Sequence, residues 1–91
     1  MYKLSFEKKA NDDIALWKRS GNKKALEKLN DLLEELIEHP KTGIGQPEEL
    51  RNNYSGLWSR HITKKDRLVY RIKEDIVEVL IVQAKGHYGD K

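Results

Sequence analysis

The hydrophobic residues at the start of the chain change from a strand spacing to a helix spacing. In residues 2–6, Tyr, Leu and Phe alternate with Lys and Ser, which is the two-residue period of a strand with one buried face. Ala10, Ile14 and Trp17 then recur at the spacing of one helix face. The pattern therefore predicts a strand and a first helix that ends near Arg19.

A second helix is the clearest element of the sequence. Ser20-Gly21-Asn22 supplies a glycine that ends one helix and an asparagine that caps the next. The following segment should end at His39-Pro40, because the residue before a proline is pushed out of the helical conformation. One face of this helix is predicted to be apolar and the other charged; the apolar residues are Leu26, Leu29, Leu33, Leu36 and Ile37.

Residues 41–57 contain many residues that interrupt regular structure, among them Gly43, Gly45, Pro47 and Gly56. This density marks a long irregular connection between elements. Long ordered loops are more often functional than not, so we expect functional residues here.

Three further strands are predicted at residues 58–62, 68–72 and 76–84. The turns between them, at residues 63–66 and 73–75, are short enough for antiparallel hairpins. The last strand is almost continuously apolar, which favours a central position in the sheet. The element order β-α-α-β-β-β predicts an α+β fold, with two N-terminal helices packed on a mainly antiparallel sheet of about four strands.

Length and composition limit the class of protein. A chain of 91 residues is expected to form one domain, residues 1–91, because chains below about 150 residues rarely divide into two cores. It contains no cysteine, which excludes disulfides and a thiolate metal site. No leader-like start and no apolar run of membrane-spanning length is present. We therefore expect a cytoplasmic protein without a membrane partner.

Positive charge is concentrated in the second half of the chain. The net charge is +3, yet residues 1–40 hold eight basic and eight acidic residues. In residues 50–73, Asp66 is the single acid among seven basic residues. A segment of this kind suits a polyanion, such as a nucleic acid or another phosphate-bearing partner. The basic residues are Arg51, Arg60, Lys64, Lys65, Arg67, Arg71 and Lys73.

Four polar residues are candidates for one site: Glu48, Arg67, His87 and Tyr88. Each of them, taken singly, is most often a solvated side chain. Their three segments can nevertheless meet at one edge of a small sheet. The three histidines of the chain lack the spacing of metal ligands, so no metal or other cofactor is expected.

Several stretches resemble the YoeB-type toxins of bacterial toxin–antitoxin systems, which are members of the RelE/ParE superfamily. The resemblance is close from Gly45 onward and weak in the two helices. It is carried by GQPEEL at residues 45–50, SGLWSRHIT at 55–63, RLVY at 67–70 and the closing His87-Tyr88. The resemblance implies the microbial-RNase-like RelE fold and a ribosome-dependent endoribonuclease that cleaves messenger RNA.

The resemblance also implies a role for each candidate site residue. Glu48 corresponds to the general base, Arg67 to the arginine that stabilises the phosphate in the transition state, His87 to the general acid and Tyr88 to a residue that positions RNA. Where relatives often carry a second arginine, this chain has His61, whose charge depends on pH.

Other residues of the basic segment are expected to contact RNA or the ribosome. For Trp58 the residues leave two roles open, a place in the core and a platform on which bases stack. The expected RNA-binding residues are Arg51, Trp58, Arg60, His61, Lys64, Lys65 and Arg71.

The implied partners are messenger RNA in the ribosomal A site, the ribosome and a YefM-like antitoxin whose acidic segment folds over the basic cleft. A homodimer is compatible with the resemblance. Two alternative functions remain open at the level of sequence. One is a non-catalytic RNA- or ribosome-binding module, and the other is a relative that acts on DNA gyrase.

Overall fold

The computed structural model describes residues 1–50 and 56–86, which form two helices and a five-stranded sheet. The predicted element order is confirmed, with one short strand added inside the long connection. The elements are β1 (Lys3–Phe6), α1 (Lys8–Ser20), α2 (Lys23–Glu38), β2 (Glu48–Glu49), β3 (Leu57–His61), β4 (Arg67–Lys73), a 3-10 turn (Glu74–Ile76) and β5 (Glu78–Gln83).

The strands lie in the order β1-β5-β4-β3-β2. β1 is parallel to β5, and the other neighbours are antiparallel. The α+β class is therefore confirmed, although the sheet has five strands rather than about four. The extra strand, β2, has only two residues, too few for an alternating pattern to reveal. β4 occupies the centre of the sheet, while β5 lies beside it in the interior.

Backbone conformation explains why β5 begins later than the apolar run predicts. Residues Glu74–Ile76 form a 3-10 turn, and Val77 follows in the left-handed region with φ 51°. Ile76 and Val77 are consequently exposed. The helix ends match the expectation more closely: Gly21 has φ 77°, and the Asn22 side chain accepts a hydrogen bond from Ala25 N at 3.0 Å.

Both helices cover one face of the sheet and share one hydrophobic core with it. On α2 the fully buried leucines are Leu29, Leu32 and Leu36, whereas Leu26 and Leu33 are only partly buried. The predicted apolar stripe is thus rotated toward Leu32. Among the described residues, no helix is both long enough and apolar enough to cross a membrane.

Helix α1 holds the backbone that follows β5. The buried Asp13 carboxylate accepts a hydrogen bond from Ala84 N at 3.0 Å, and Trp17 Nε1 donates to Ala84 O at 2.6 Å. Lys9 Nζ contacts the same carboxylate at 2.7 Å. Both backbone groups of Ala84 are therefore satisfied by side chains of one helix.

We expect Asp13→Ala to lower the free energy of unfolding by about 1–3 kcal/mol, because the buried Ala84 N–H would lose its partner. Asp12→Ala is a matched control, since Asp12 forms an exposed ion pair with Lys8 on the same helix and such pairs contribute little. Urea denaturation of both variants measures the difference. Equal effects of the two substitutions would contradict this role of Asp13.

Candidate functional site

The sheet face opposite the helices carries the candidate catalytic residues. Side chains alternate along a strand, and Leu68 and Tyr70 of β4 belong to the core beneath the helices. Arg67 therefore faces the other way. Val69, two residues after Arg67, faces the same way. Ser59 pairs with Val69 and Glu48 pairs with Ser59, so the side chains of Ser59 and Glu48 also lie on that face.

Glu48 and Arg67 come together on this open face, as the sequence predicted for their segments. Arg67 Nη1 lies 4.0 Å from Glu48 Oε1 and donates a hydrogen bond to Ser59 Oγ at 3.1 Å. The Glu48 side chain is 64% exposed and that of Arg67 is 25% exposed. The carboxylate is therefore open to solvent, while the guanidinium is held in place beside it.

The guanidinium of Arg67 retains binding capacity. Its Nε is buried and has no hydrogen-bond partner in the described part of the chain. Buried donors are normally paired, and an arginine presents its donors as a fork that matches a phosphate or carboxylate. The exposed quarter of the Arg67 side chain can present such donors to an anion, whereas the buried Nε is out of reach of solvent.

Ser59 is a site residue that sequence reasoning missed. It is 1% exposed and bonds to Arg67 from the neighbouring strand. The period-two alternation of β3 was the available signal, because it places Ser59 on the face opposite Trp58. A serine alone carries no distinctive motif, so only its pairing with β4 shows that it orients the arginine.

The chain that leads to the predicted general acid is attached beside Arg67. Arg67 N donates to Gly86 O at 3.0 Å, and Gly86 N donates to the Asp66 side chain at 2.9 Å. Gly86 adopts φ 84°, a left-handed conformation that glycine tolerates. His87 and Tyr88, like Arg51, lie outside the described residues, and their assigned roles stay predictions.

Arg60 is in the core, so the prediction that it contacts RNA is wrong for this structure. Its side chain is 0% exposed and pairs with Glu35 of α2. It also donates to Ile44 O at 3.2 Å, to Thr42 O at 2.8 Å and to His39 O. The strand alternation that turns Arg67 outward turns Arg60 inward.

The Arg60 cluster fixes the loop between α2 and β2. Arg60 Nε donates to Tyr70 Oη at 3.1 Å, and Tyr70 Oη donates to Pro40 O at 2.7 Å. Burial raises the pKa of the Glu35 carboxyl, but hydrogen bonds from Ile44 N and Arg60 outweigh burial and hold that pKa below its ordinary value. Burial raises the pKa of Tyr70 despite its contact with Arg60.

The other described residues of the predicted RNA-binding set reach the surface to different extents. Lys64, Lys65 and Arg71 are exposed and His61 is partly exposed, so these four remain available to a partner. Trp58 is partly buried and packs against the core. Of the two roles left open for it, this position agrees with a place in the core rather than a platform for stacked bases. Among residues 1–50 and 56–86, no cluster of His, Asp and Glu could hold a metal ion.

Comparison with known proteins identifies relatives over nearly the full chain. Toxin YoeB of Escherichia coli (strain K12) is 37% identical over 86 residues, which covers 94% of this chain and 99% of the relative. The solved YoeB/ParE toxin from Agrobacterium tumefaciens is 35% identical, with a TM-score of 0.87 and coverage of 94% and 99%.

YoeB from Staphylococcus aureus also matches, both as a dimer and in complex with YefM. Each of these structures is 32% identical; the dimer has a TM-score of 0.80 with coverage of 96% and 98%, and the complex 0.78 with coverage of 97% and 99%. A sequence model of the YoeB-like toxins of bacterial type II toxin–antitoxin systems matches residues 6–88.

The fold and these matches define the class of protein as a small α+β toxin with two helices on one face of its sheet. Within that class, the chain belongs to the YoeB-like toxin family of bacterial type II toxin–antitoxin systems.

Proposed function

We propose that this toxin is a ribosome-dependent endoribonuclease that cleaves messenger RNA in the ribosomal A site and thereby inhibits translation. The observation that carries the proposal is the approach of Arg67 Nη1 to within 4.0 Å of Glu48 Oε1 on the open sheet face. A carboxylate that can act as a base and a forked cation that can bind a phosphate therefore lie side by side on an accessible surface.

The chemistry follows from the residue types. Glu48 would remove the proton of a ribose 2′-hydroxyl, and that oxygen would attack the adjacent 3′-phosphate. Arg67 would stabilise the negative charge on the phosphorane oxygens. His87 would protonate the departing 5′-oxygen, and Tyr88 would position the RNA. The products are a 2′,3′-cyclic phosphate, which can open to a 3′-phosphate, and a 5′-hydroxyl end.

The proposed role of His87 as general acid is supported by the hydrogen bonds that hold Gly86, the residue before it. Gly86 is bonded through its N–H to Asp66 and through its carbonyl to Arg67, and His87 is its covalent neighbour. Arg67 therefore lies between the strand that carries Glu48 and the point at which the chain continues to His87. In phosphoryl transfer the attacking and leaving oxygens lie roughly in line on opposite sides of the phosphorus, so we propose that His87 acts from the side opposite Glu48.

The proposal implies two macromolecular partners besides RNA and the ribosome. YoeB of S. aureus forms a complex with YefM, and we propose a YefM-like antitoxin for this toxin, whose acidic segment would cover the basic face. The same relative forms a dimer, which supports a homodimer here. Action on ribosomes places the proposed activity in the cytoplasm.

Mapping the ends of cleaved messenger RNA tests the proposal. In a purified translation system, primer extension should show cleavage of the translated message, and the downstream fragment should accept a 5′-phosphate from a kinase without prior dephosphorylation. Single variants Glu48→Ala, Arg67→Ala and His87→Ala should lose this cleavage. Survival of cleavage in all three would contradict the assigned roles.

Two other outcomes would favour the alternative functions. Inhibited translation with intact messenger RNA would indicate a non-catalytic module that binds RNA or the ribosome. Loss of supercoiling by DNA gyrase in the presence of the toxin, without RNA cleavage, would indicate action on gyrase.

A further inference from the structure

We propose that a cleft between α2 and the β3–β4 turn binds the nucleotide on the 5′ side of the cleaved phosphate. This inference rests on the proposed function and names a subsite for its RNA substrate. The cleft has a volume of about 520 Å³, within the range of about 300–1,000 Å³ typical of small-molecule sites. Its lining includes Lys28, Gln46, His61, Ile62 and Lys64.

The charges around the cleft favour an anionic ligand that also has a polar, planar part. Lys28 of α2 and Lys64 of the β3–β4 turn are both cations of the lining, and none of the described residues that line the cleft is acidic. Within the described residues, neither lysine forms an ion pair. The Gln46 amide and the His61 ring supply hydrogen-bonding groups, and Ile62 supplies an apolar contact, so a nucleotide matches the lining.

The backbone at Gln46 gives a second, independent observation. Gln46 adopts φ 55° although it is not a glycine, a conformation that costs free energy and concentrates at functional sites. Gly45 before it has φ 80°, and a Cβ there would lie 2.9 Å from Leu32 Cδ2. The two residues therefore form a tight bend against the core, which directs Gln46 to the cleft at the expense of backbone strain.

The position of the cleft determines which nucleotide it would hold. His61 N donates to Gly45 O at 2.7 Å, and His61 pairs with Arg67, so the cleft begins about one strand spacing, roughly 5 Å, from the phosphate-binding arginine. Gln46 also lies two residues before Glu48. The cleft is thus on the side of Glu48. As the proposed general base, Glu48 takes its proton from the nucleotide 5′ of the phosphate.

RNA binding without cleavage tests the inference. The probe is a short fluorescent single-stranded RNA with methylated 2′-hydroxyls, followed by anisotropy at low salt. We expect Lys28→Ala and Gln46→Gly each to weaken binding by about threefold or more, because the first removes a cation that attracts the RNA backbone and the second removes a hydrogen-bonding amide. Lys24→Ala is the matched control, because Lys24 lies one turn earlier on α2 and does not line the cleft; it should bind as the wild type does.

Thermal unfolding of Gln46→Gly separates binding from folding. Glycine accepts a positive φ without strain, so this variant should unfold at the same temperature as the wild type or higher while it binds more weakly. A lower unfolding temperature that accounts for the loss of binding would overturn the inference.

An abasic nucleotide identifies the side of the substrate. Placed immediately 5′ of the mapped cleavage position, it should abolish the difference between wild type and Gln46→Gly, whereas placed 3′ it should leave the difference intact. The inference is overturned if Lys28→Ala and Lys24→Ala act equally, or if the wild type cleaves RNA and Gln46→Gly binds it as tightly. If the wild type cleaves no RNA but the variants still differ in binding, the proposed function fails and the nucleotide site stands.

Discussion

Glu48→Gln is expected to lower the rate of messenger-RNA cleavage by about 10²–10⁴-fold, the usual contribution of a general base. Glutamine keeps the size of the side chain but cannot accept the proton of the 2′-hydroxyl. Because Glu48 is 64% exposed, the substitution should leave the free energy of unfolding nearly unchanged. Single-turnover cleavage of a ribosome-bound message measures the rate, and urea denaturation measures the stability.

Glu49→Gln is the matched control for this prediction. Glu49 is the next residue of β2 and is also exposed, but it pairs with Trp58 and so belongs to the opposite face of the sheet. The two variants remove the same charge from the same two-residue strand. If both slow cleavage to the same degree, the effect comes from charge at this edge of the sheet, and Glu48 is not the base.

Arg60→Met is expected to lower the free energy of unfolding by about 3–5 kcal/mol, the usual cost of removing one partner of a buried ion pair. Methionine can fill much of the volume, but it offers no donors. The carbonyls of His39, Thr42 and Ile44 would lose hydrogen bonds, and the Glu35 carboxylate would lose its cation. Domains of this kind are stable by only about 5–15 kcal/mol, so the variant should be close to unfolding at physiological temperature.

Arg71→Met controls for the loss of a strand arginine. Arg71 is exposed on β4, and surface substitutions usually change stability by about 0.5 kcal/mol or less. Glu35→Gln should fall between the two, because it removes the charge of Glu35 while Arg60 keeps its three carbonyl partners. Equal stability of Arg60→Met and Arg71→Met would show that the buried cluster does not hold the loop.

Arg60 and Arg67 show that composition does not reveal which basic residues are exposed. Arg60 and Arg67 belong to the same basic segment, and both were expected to meet RNA. In the fold, one is enclosed by backbone carbonyls and the other faces the open side of the sheet beside Glu48. A count of basic residues over residues 50–73 therefore overstates the charge available to a polyanion, since at least one of the cations is neutralised in the core.

The element order, the helix boundaries near Gly21 and Pro40 and the family could be predicted from the sequence, because these depend on local periodicity, caps and motifs. The sequence also indicated that the segments of Glu48 and Arg67 can meet at one edge of a small sheet. Local sequence patterns do not show how the strands pair in register, however. Three features depend on contacts between residues that are distant in the chain: the two-residue strand β2, the hydrogen bond of Arg67 to Ser59 and the hydrogen bond of Ala84 N to Asp13.

The tertiary structure is needed to tell which basic residues are structural and where the cleft beside Gln46 lies. A shift of one position along a strand moves a side chain to the opposite face, so Arg60 and Arg67 could be assigned to core and surface only once the pairing of β3 with β4 was known. Residue type fixes which chemistry a side chain can perform, and the register of the sheet fixes which side chains are in a position to perform it.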